Sequence, residues 1–258
     1  MSKIEKAFEK GKVFIGFITG GDPCSEKTEE FVFEMIAGGA DIIEIGIPFS
    51  DPVAEGPTIQ SANIRALASG TTIDKLFTII ENLRKKTQIP LLFMTYLNPV
   101  FNYGYERFFT ECERVGLNGI IIPDLPFEEK KEVSAIAHTH QIDLITMVAP
   151  TSENRIEKLV SGASGFIYTV SSMGVTGVRN ELDKNTGALL AKVKSKAHIP
   201  VAAGFGIGTP EQAQQTALHA DGVIVGSAIV HLVEKYGDDA GPYIREFVSS
   251  MKEAIKVK

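Results

Sequence analysis

The stretch EIGIPFSDPVAEGP, residues 44–57, begins as a buried strand, breaks at Pro48, and then sets two more acids, Asp51 and Glu55, in a loop fenced by Pro52 and Pro57. The strand itself starts earlier, in ADIIEIGIP from Ala40, and one carboxylate lies inside its apolar run. Side chains alternate along a strand, so Ile43, Ile45 and Ile47 share one face while Ile42, Glu44 and Gly46 share the other. The all-isoleucine face suits packing under helices. Glu44 is left on the opposite face, pointing into whatever the sheet encloses.

Working outward, short β-branched runs alternate with helical patterns from end to end. The runs are FIGFITG from Phe14, ADIIEIGIP, PLLFMTYL from Pro90, GIIIPDLP from Gly119, DLITMVAP from Asp143, GFIYTVSS from Gly165, PVAAGFGI from Pro200 and DGVIVGSAI from Asp221. Between them, DKLFTIIENLRKK places Leu76, Ile79, Ile80 and Leu83 on one stripe. TPEQAQQTALH offers Thr209 as N-cap and Pro210 at the first helical position. Eight strand-then-helix units fit a closed (β/α)8 barrel, an α/β fold, better than an open doubly wound sheet. MSKIEKAFEKGK adds an amphipathic N-terminal helix with Ile4, Ala7 and Phe8 on one side. No linker or composition break divides residues 1–258, so one barrel domain is expected.

The composition narrows the function. A hydrophobic fraction of 44% over 258 residues supports a sizeable core. A net charge of −6 argues against a nucleic-acid binder, which needs a basic face. The N-terminus lacks the apolar core of a signal peptide and no stretch is long enough for a membrane helix, so a cytoplasmic protein with no membrane partner is expected. Cys24 and Cys112 are too far apart in sequence to suggest a zinc site or a disulfide framework.

In such a barrel the chemistry sits at the C-terminal ends of the strands. Glu44 lies there, in an interior that solvates a carboxylate poorly and raises its pKa. That suits it to give as well as take a proton. The competing reading is a structural Glu tied to a buried hydroxyl or amide. Phe17, Thr19, Tyr96, Asp124 and Tyr168 stand at or near the ends of other strands and offer it a pocket. Asp51 fits a turn cap, and Glu55 on its loop tip fits a solvated acid.

The loops after strands six, seven and eight read MGVTGVRNEL, GFGIGTPEQ and VGSAI. They bring the backbone amides of Gly177, Gly206, Gly226 and Ser227 to one part of the rim, where barrels commonly hold a phosphate against a helix N-terminus. Singly, each glycine would serve only a tight turn. No lysine falls in a proposed strand, which weighs against Schiff-base chemistry. No pair among the five histidines has metal-ligand spacing on a helix, and GFGIG lacks the dinucleotide GxGxxG spacing. Carbon–carbon chemistry here would fall to carboxylates.

Taken in order, EIGIPFSDPVAEGPTIQ, MTYLNPVFNYG, GIIIPDLP, SSMGVTG, GFGI and GVIVGSAIV closely resemble the tryptophan synthase alpha chain family over essentially the whole chain. The resemblance implies a lyase that cleaves indole-3-glycerol phosphate to indole and glyceraldehyde 3-phosphate. It implies Glu44 as catalytic acid/base. It also implies a second acid near the indole nitrogen at position 55, where the family carries aspartate and this chain carries Glu55. Phe17, Tyr96, Ile121 and Tyr168 would line the indole pocket, Gly177, Gly206, Gly226 and Ser227 would hold the phosphate, and Phe205 would be a further substrate-binding residue. Thr176 would close toward Asp51. No metal or cofactor is implied in this chain. The expected partner is a beta subunit that carries pyridoxal phosphate and receives indole in an alpha2beta2 assembly, with Pro99, Val100 and Phe101 as an apolar loop at the mouth. A sugar-phosphate isomerase, a stand-alone indole-releasing lyase and a non-catalytic binding subunit are the alternatives.

Overall fold

The structure, a computed structural model, describes residues 1–170, 184–204 and 206–256, with the side chains of residues 184 and 185 outside the description. Nine parallel strand segments, β1 (Val13–Thr19), β2 (Ile42–Gly46), β3 (Leu91–Met94), β4 (Gly119–Ile121), β5 (Asp143–Leu144), β6 (Thr146–Val148), β7 (Ile167–Val170), β8 (Val201–Gly204) and β9 (Gly222–Val225), form one sheet. Their order is β5-β4-β3-β2-β1-β9-β8-β7-β6. The two ends of that order, β5 and β6, are one continuous run interrupted at Ile145, whose amide donates to the Ile120 carbonyl at 2.9 Å. The ring therefore closes through a single extended segment, and the nine pieces are the eight expected strands of a (β/α)8 barrel.

Alternation along each strand separates an inner core from outer ones. Inward side chains, among them Val13, Ile15, Phe17, Ile42, Leu92, Met94, Ile121, Ile145, Tyr168 and Ile224, make one cluster inside the barrel. Outward ones, including Ile43, Ile45 and Ile47, pack beneath the helices. The helix Ile73–Arg84 shows the matching pattern, burying Leu76, Phe77, Ile79, Ile80 and Leu83. Its first turn is capped by Thr72, whose hydroxyl accepts from the Lys75 amide at 3.3 Å. Thr209 caps the helix Pro210–Ala217 in the same way, accepting from the Gln212 amide at 3.3 Å.

The N-terminal segment plugs the bottom of the barrel. A capping box, with the Glu5 amide donating to Ser2 Oγ and the Ser2 amide donating to Glu5 Oε2, starts the helix Lys3–Ala7. Ile4 is fully buried, and the Phe8 ring lies 5.9 Å from that of Phe166. The first residues of β4 and β9 are glycines for a steric reason. A Cβ on Gly119 would stand 2.8 Å from Ile4, and one on Gly222 would stand 3.0 Å from Phe8. The N-terminal end is thus filled, and a cavity lies at the C-terminal mouth.

Several strands are shorter than the sequence suggests. β3 stops at Met94, and Tyr96 is instead the residue before the helix Leu97–Tyr103. β4 stops at Ile121, so Asp124 lies in the loop beyond, where its Oδ1 accepts from the Leu97 amide at 2.9 Å. Asp124 thus ties the loop after β4 to the start of that helix rather than lining the cavity. Pro99, Val100 and Phe101 belong to that helix, not to a loop: Val100 is buried within the outer core and Phe101 is 64% exposed. The SAI of the last apolar run likewise starts the helix Ser227–Tyr236.

Candidate active site

At the mouth lies a cavity of about 490 Å³. Glu44 sits in its wall, at the middle of β2, in register with Phe17 of β1 and Leu92 of β3. Its side chain is 1% exposed, and Oε2 has no hydrogen-bond partner among the described residues. Loss of water around it, with nothing opposing, pushes the carboxyl up to about 8. At neutral pH it is mostly protonated, and it sits close enough to its ordinary range to cycle between both forms.

Aromatic rings flank it, each seated by a glycine. The Phe17 ring lies where a Cβ on Gly46 would come within 2.7 Å and one on Gly226 within 3.2 Å. A Cβ on Gly204 would meet the Tyr168 hydroxyl at 2.6 Å. Burial, with the neighbouring Glu44 charge second, holds the Tyr168 hydroxyl far above its usual range, so it stays a neutral phenol. The cavity thus has aromatic side chains beside a buried, protonated carboxyl.

Glu55 enters the same cavity from the loop after β2. Contrary to the solvated reading of a loop-tip acid, it is half-buried, and burial raises its pKa. Hydrogen bonds from Asn63 and Tyr96 partly oppose that rise. Asn63 Nδ2 donates to Glu55 Oε2 at 2.6 Å. The Tyr96 hydroxyl also accepts from the Ala54 amide at 3.1 Å. The sequence reading passed over Asn63, although a signal was present. The buried face of the helix Pro57–Ala68 is Ile59, Ala62, Asn63 and Ala66, and one polar member in such a stripe must have a partner.

Across the cavity, Gly206, Gly208, Gly226 and Ser227 complete the wall. Gly226 is the N-cap of the helix Ser227–Tyr236, so the positive end of that helix, with Ser227 and Ala228, borders the cavity. Gly206 has φ of +75°, which glycine adopts freely. Of the expected residues, the fold brings Phe17, Glu44, Glu55, Tyr168, Gly206, Gly226 and Ser227 together around one cavity. Tyr96 joins through its bonds to Ala54 and Glu55. Ile121 is fully buried in the interior cluster beneath rather than in the cavity wall. Asp51 is exposed on the loop, accepting a 2.5 Å hydrogen bond from Ser50. Thr176, Gly177 and Phe205 lie outside the described residues. Met94, Ile59, Ile224 and His231 also line the cavity and were not singled out as pocket residues from sequence.

A closed parallel barrel whose mouth combines a desolvated carboxyl, a second tethered carboxyl and a helix N-terminus defines a barrel enzyme equipped for acid–base chemistry. The family model for the tryptophan synthase alpha chain matches residues 4–256. The chain is 49% identical over 258 residues to the tryptophan synthase alpha chain of Lacticaseibacillus casei, covering 100% of this chain and 97% of that one. The crystal structure of tryptophan synthase subunit alpha from Legionella pneumophila superposes with a TM-score of 0.90 at 35% identity, covering 99% and 98% of the two chains. A tryptophan synthase complex from Pyrococcus furiosus superposes at 0.87 and 32% identity, covering 94% and 98%. The chain belongs to the tryptophan synthase alpha chain family, a family of lyases that cleave indole-3-glycerol phosphate in tryptophan biosynthesis.

Proposed function

We propose that Glu44 and Glu55 carry out the retro-aldol cleavage of indole-3-glycerol phosphate in this chain. The protonated Glu44 carboxyl gives its proton to indole C3, which places positive charge on the ring nitrogen. Glu44, now a carboxylate, takes the proton of the hydroxyl on the attached side-chain carbon. The O–H electron pair becomes the new carbonyl bond, the C–C bond breaks, and its electrons return to the ring. Indole and glyceraldehyde 3-phosphate leave with no net proton consumed. Glu55, as a carboxylate, stabilises the indole nitrogen while it is positive.

The observation that supports this is the presence of both carboxyls in one largely apolar cavity, the deeper one protonated at neutral pH and with a free oxygen among the described residues. Phe17 and Tyr168 provide flat apolar walls for the indole. Gly206, Gly226, Ser227 and the N-terminus of the Ser227–Tyr236 helix bind the substrate phosphate. Asp51, with Thr176, serves loop closure. Residues 1–258 act as one barrel domain in the cytoplasm. A beta subunit, which holds the pyridoxal phosphate, docks at the mouth and takes up indole in an alpha2beta2 assembly. The exposed Val53 and Phe101 are suited to that contact.

The test is indole release from indole-3-glycerol phosphate by the purified chain, with and without a beta subunit, against Glu44→Gln. Activity in the wild type that is abolished in the variant is expected. Equal activity of the two overturns the role of Glu44.

A further inference from the structure

Glu55 is tied twice by one helix. Gln60 Nε2 donates to the Glu55 carbonyl at 2.8 Å, and Asn63 Nδ2 donates to its carboxylate at 2.6 Å, both from the first two turns of Pro57–Ala68. The first tie fixes the backbone of residue 55 and the second fixes the end of its side chain. Asn63 is 3% exposed and surrounded on its helix face by Ile59, Ala62 and Ala66, where an apolar residue would pack without needing a partner. An amide placed there has work to do. A glutamate on a loop would otherwise spread over several rotamers, since each of its torsions is free in water.

We propose that Asn63 is a positioning residue, which together with the Tyr96 hydroxyl holds the Glu55 carboxylate at one point on the cavity wall so that a long loop acid behaves as a fixed one. The idea rests on the catalytic reading of Glu55, but the tie itself is measurable without turnover. The ionisable groups around that carboxylate are Tyr96 after β3, Asp124 beside Tyr96, Glu44 in the same cavity, and His231 on the Ser227–Tyr236 helix. Of these groups among the described residues, the Tyr96 hydroxyl joins Asn63 in stabilising the charged form of Glu55.

Two variants test it, Asn63→Leu, which keeps the volume, and Asn63→Ala. Both are read by the 13C titration of the Glu55 δ-carboxyl, assigned with Glu55→Gln, and by steady-state indole release. Removing a donor to the charged form disfavours that form, so the Glu55 midpoint moves up and the acid limb of kcat moves with it. A kcat about 10- to 100-fold lower with KM nearly unchanged is expected, because the carboxylate is misplaced rather than lost. A lower melting temperature with both midpoint and kcat unmoved assigns Asn63 a packing role and overturns the proposal. Should the wild type release no indole while the midpoint still shifts, the catalytic reading of Glu55 fails and the tie stands.

Discussion

Glu44 and Glu55 are the same side chain in opposite seats. Glu44 rises from the middle of a barrel strand, held by the parallel ladder on both sides, and meets apolar rings with no hydrogen bond offered to Oε2 among the described residues. Glu55 hangs from a loop and owes its place to an amide and a phenol that reach it from other elements. The first is positioned by backbone and left electrostatically unsupported, which favours the neutral acid. The second is positioned by hydrogen bonds that also favour its charge. The roles proposed for them, proton carrier and charge stabiliser, call for opposite environments of this kind.

The largest expected effect comes from the strand acid. Glu44→Gln should lower kcat by about 1,000-fold, the scale of losing a general acid/base, measured by indole release. The same variant should be more stable than wild type, increasingly so as pH rises. The folded carboxyl titrates at about 8 against an ordinary value of 4.5, so between those values the folded state holds a proton that the unfolded chain has released. Wild-type stability therefore falls as pH rises through that window, a cost on the order of 4 kcal/mol that glutamine never incurs. Urea unfolding at pH 5.5 and 8.5 checks it. A gain that does not grow with pH would show that Glu44 is well solvated. The activity of the wild type should decline on the alkaline side through about pH 8, as the acid form is lost.

Glu55→Gln comes next, with kcat about 100-fold lower and the alkaline decline retained, because Glu44 is intact. If that decline vanished along with the rate, the division of labour between the two acids would be wrong. A third change probes the anchoring of the loop helix rather than the chemistry. Arg65 forms a two-pronged ion pair with Asp22, at 2.8 Å on both oxygens, and Asp22 is 1% exposed. Burial raises the Asp22 pKa even against that partner. Arg65→Met strands the carboxyl in the interior and should cost about 2 kcal/mol by denaturant titration, less than for a fully enclosed pair because Arg65 is partly exposed. The smallest effect is expected for Glu55→Asp. Aspartate has one rotor fewer to fix, and turnover should stay at or above the wild-type level, within about threefold. A collapse would show that the loop is built around the longer acid.

Glu44 was legible before any coordinates because a polar residue in an alternating apolar run has its face dictated by strand geometry. The same rule placed Ile43, Ile45 and Ile47 outside. Glu55 was not legible from its surroundings. Residue by residue it resembled a solvated acid, and only the family pattern gave it a role. Its burial depends on Tyr96, 41 positions away, and on a helix that folds back over the loop. Asp124 illustrates the opposite error, an acid near a strand end that proved to be a loop tie to the Leu97 amide. Strand ends are set by where neighbouring loops take over the hydrogen bonding, and no local pattern records that.

The sequence by itself determined the parallel barrel, the amphipathic N-terminal helix, the inward direction of Glu44 and membership in a lyase family, because periodicity and ordered motifs are local properties of the chain. The tertiary structure decided what those residues experience. It joined β5 to β6 through Ile145 to close the ring, stripped water from Glu44 without offering Oε2 a partner among the described residues, and brought Asn63 and Tyr96 onto Glu55. Desolvation and hydrogen bonding depend on everything within a few ångströms in space, and that neighbourhood exists only once distant segments have packed together.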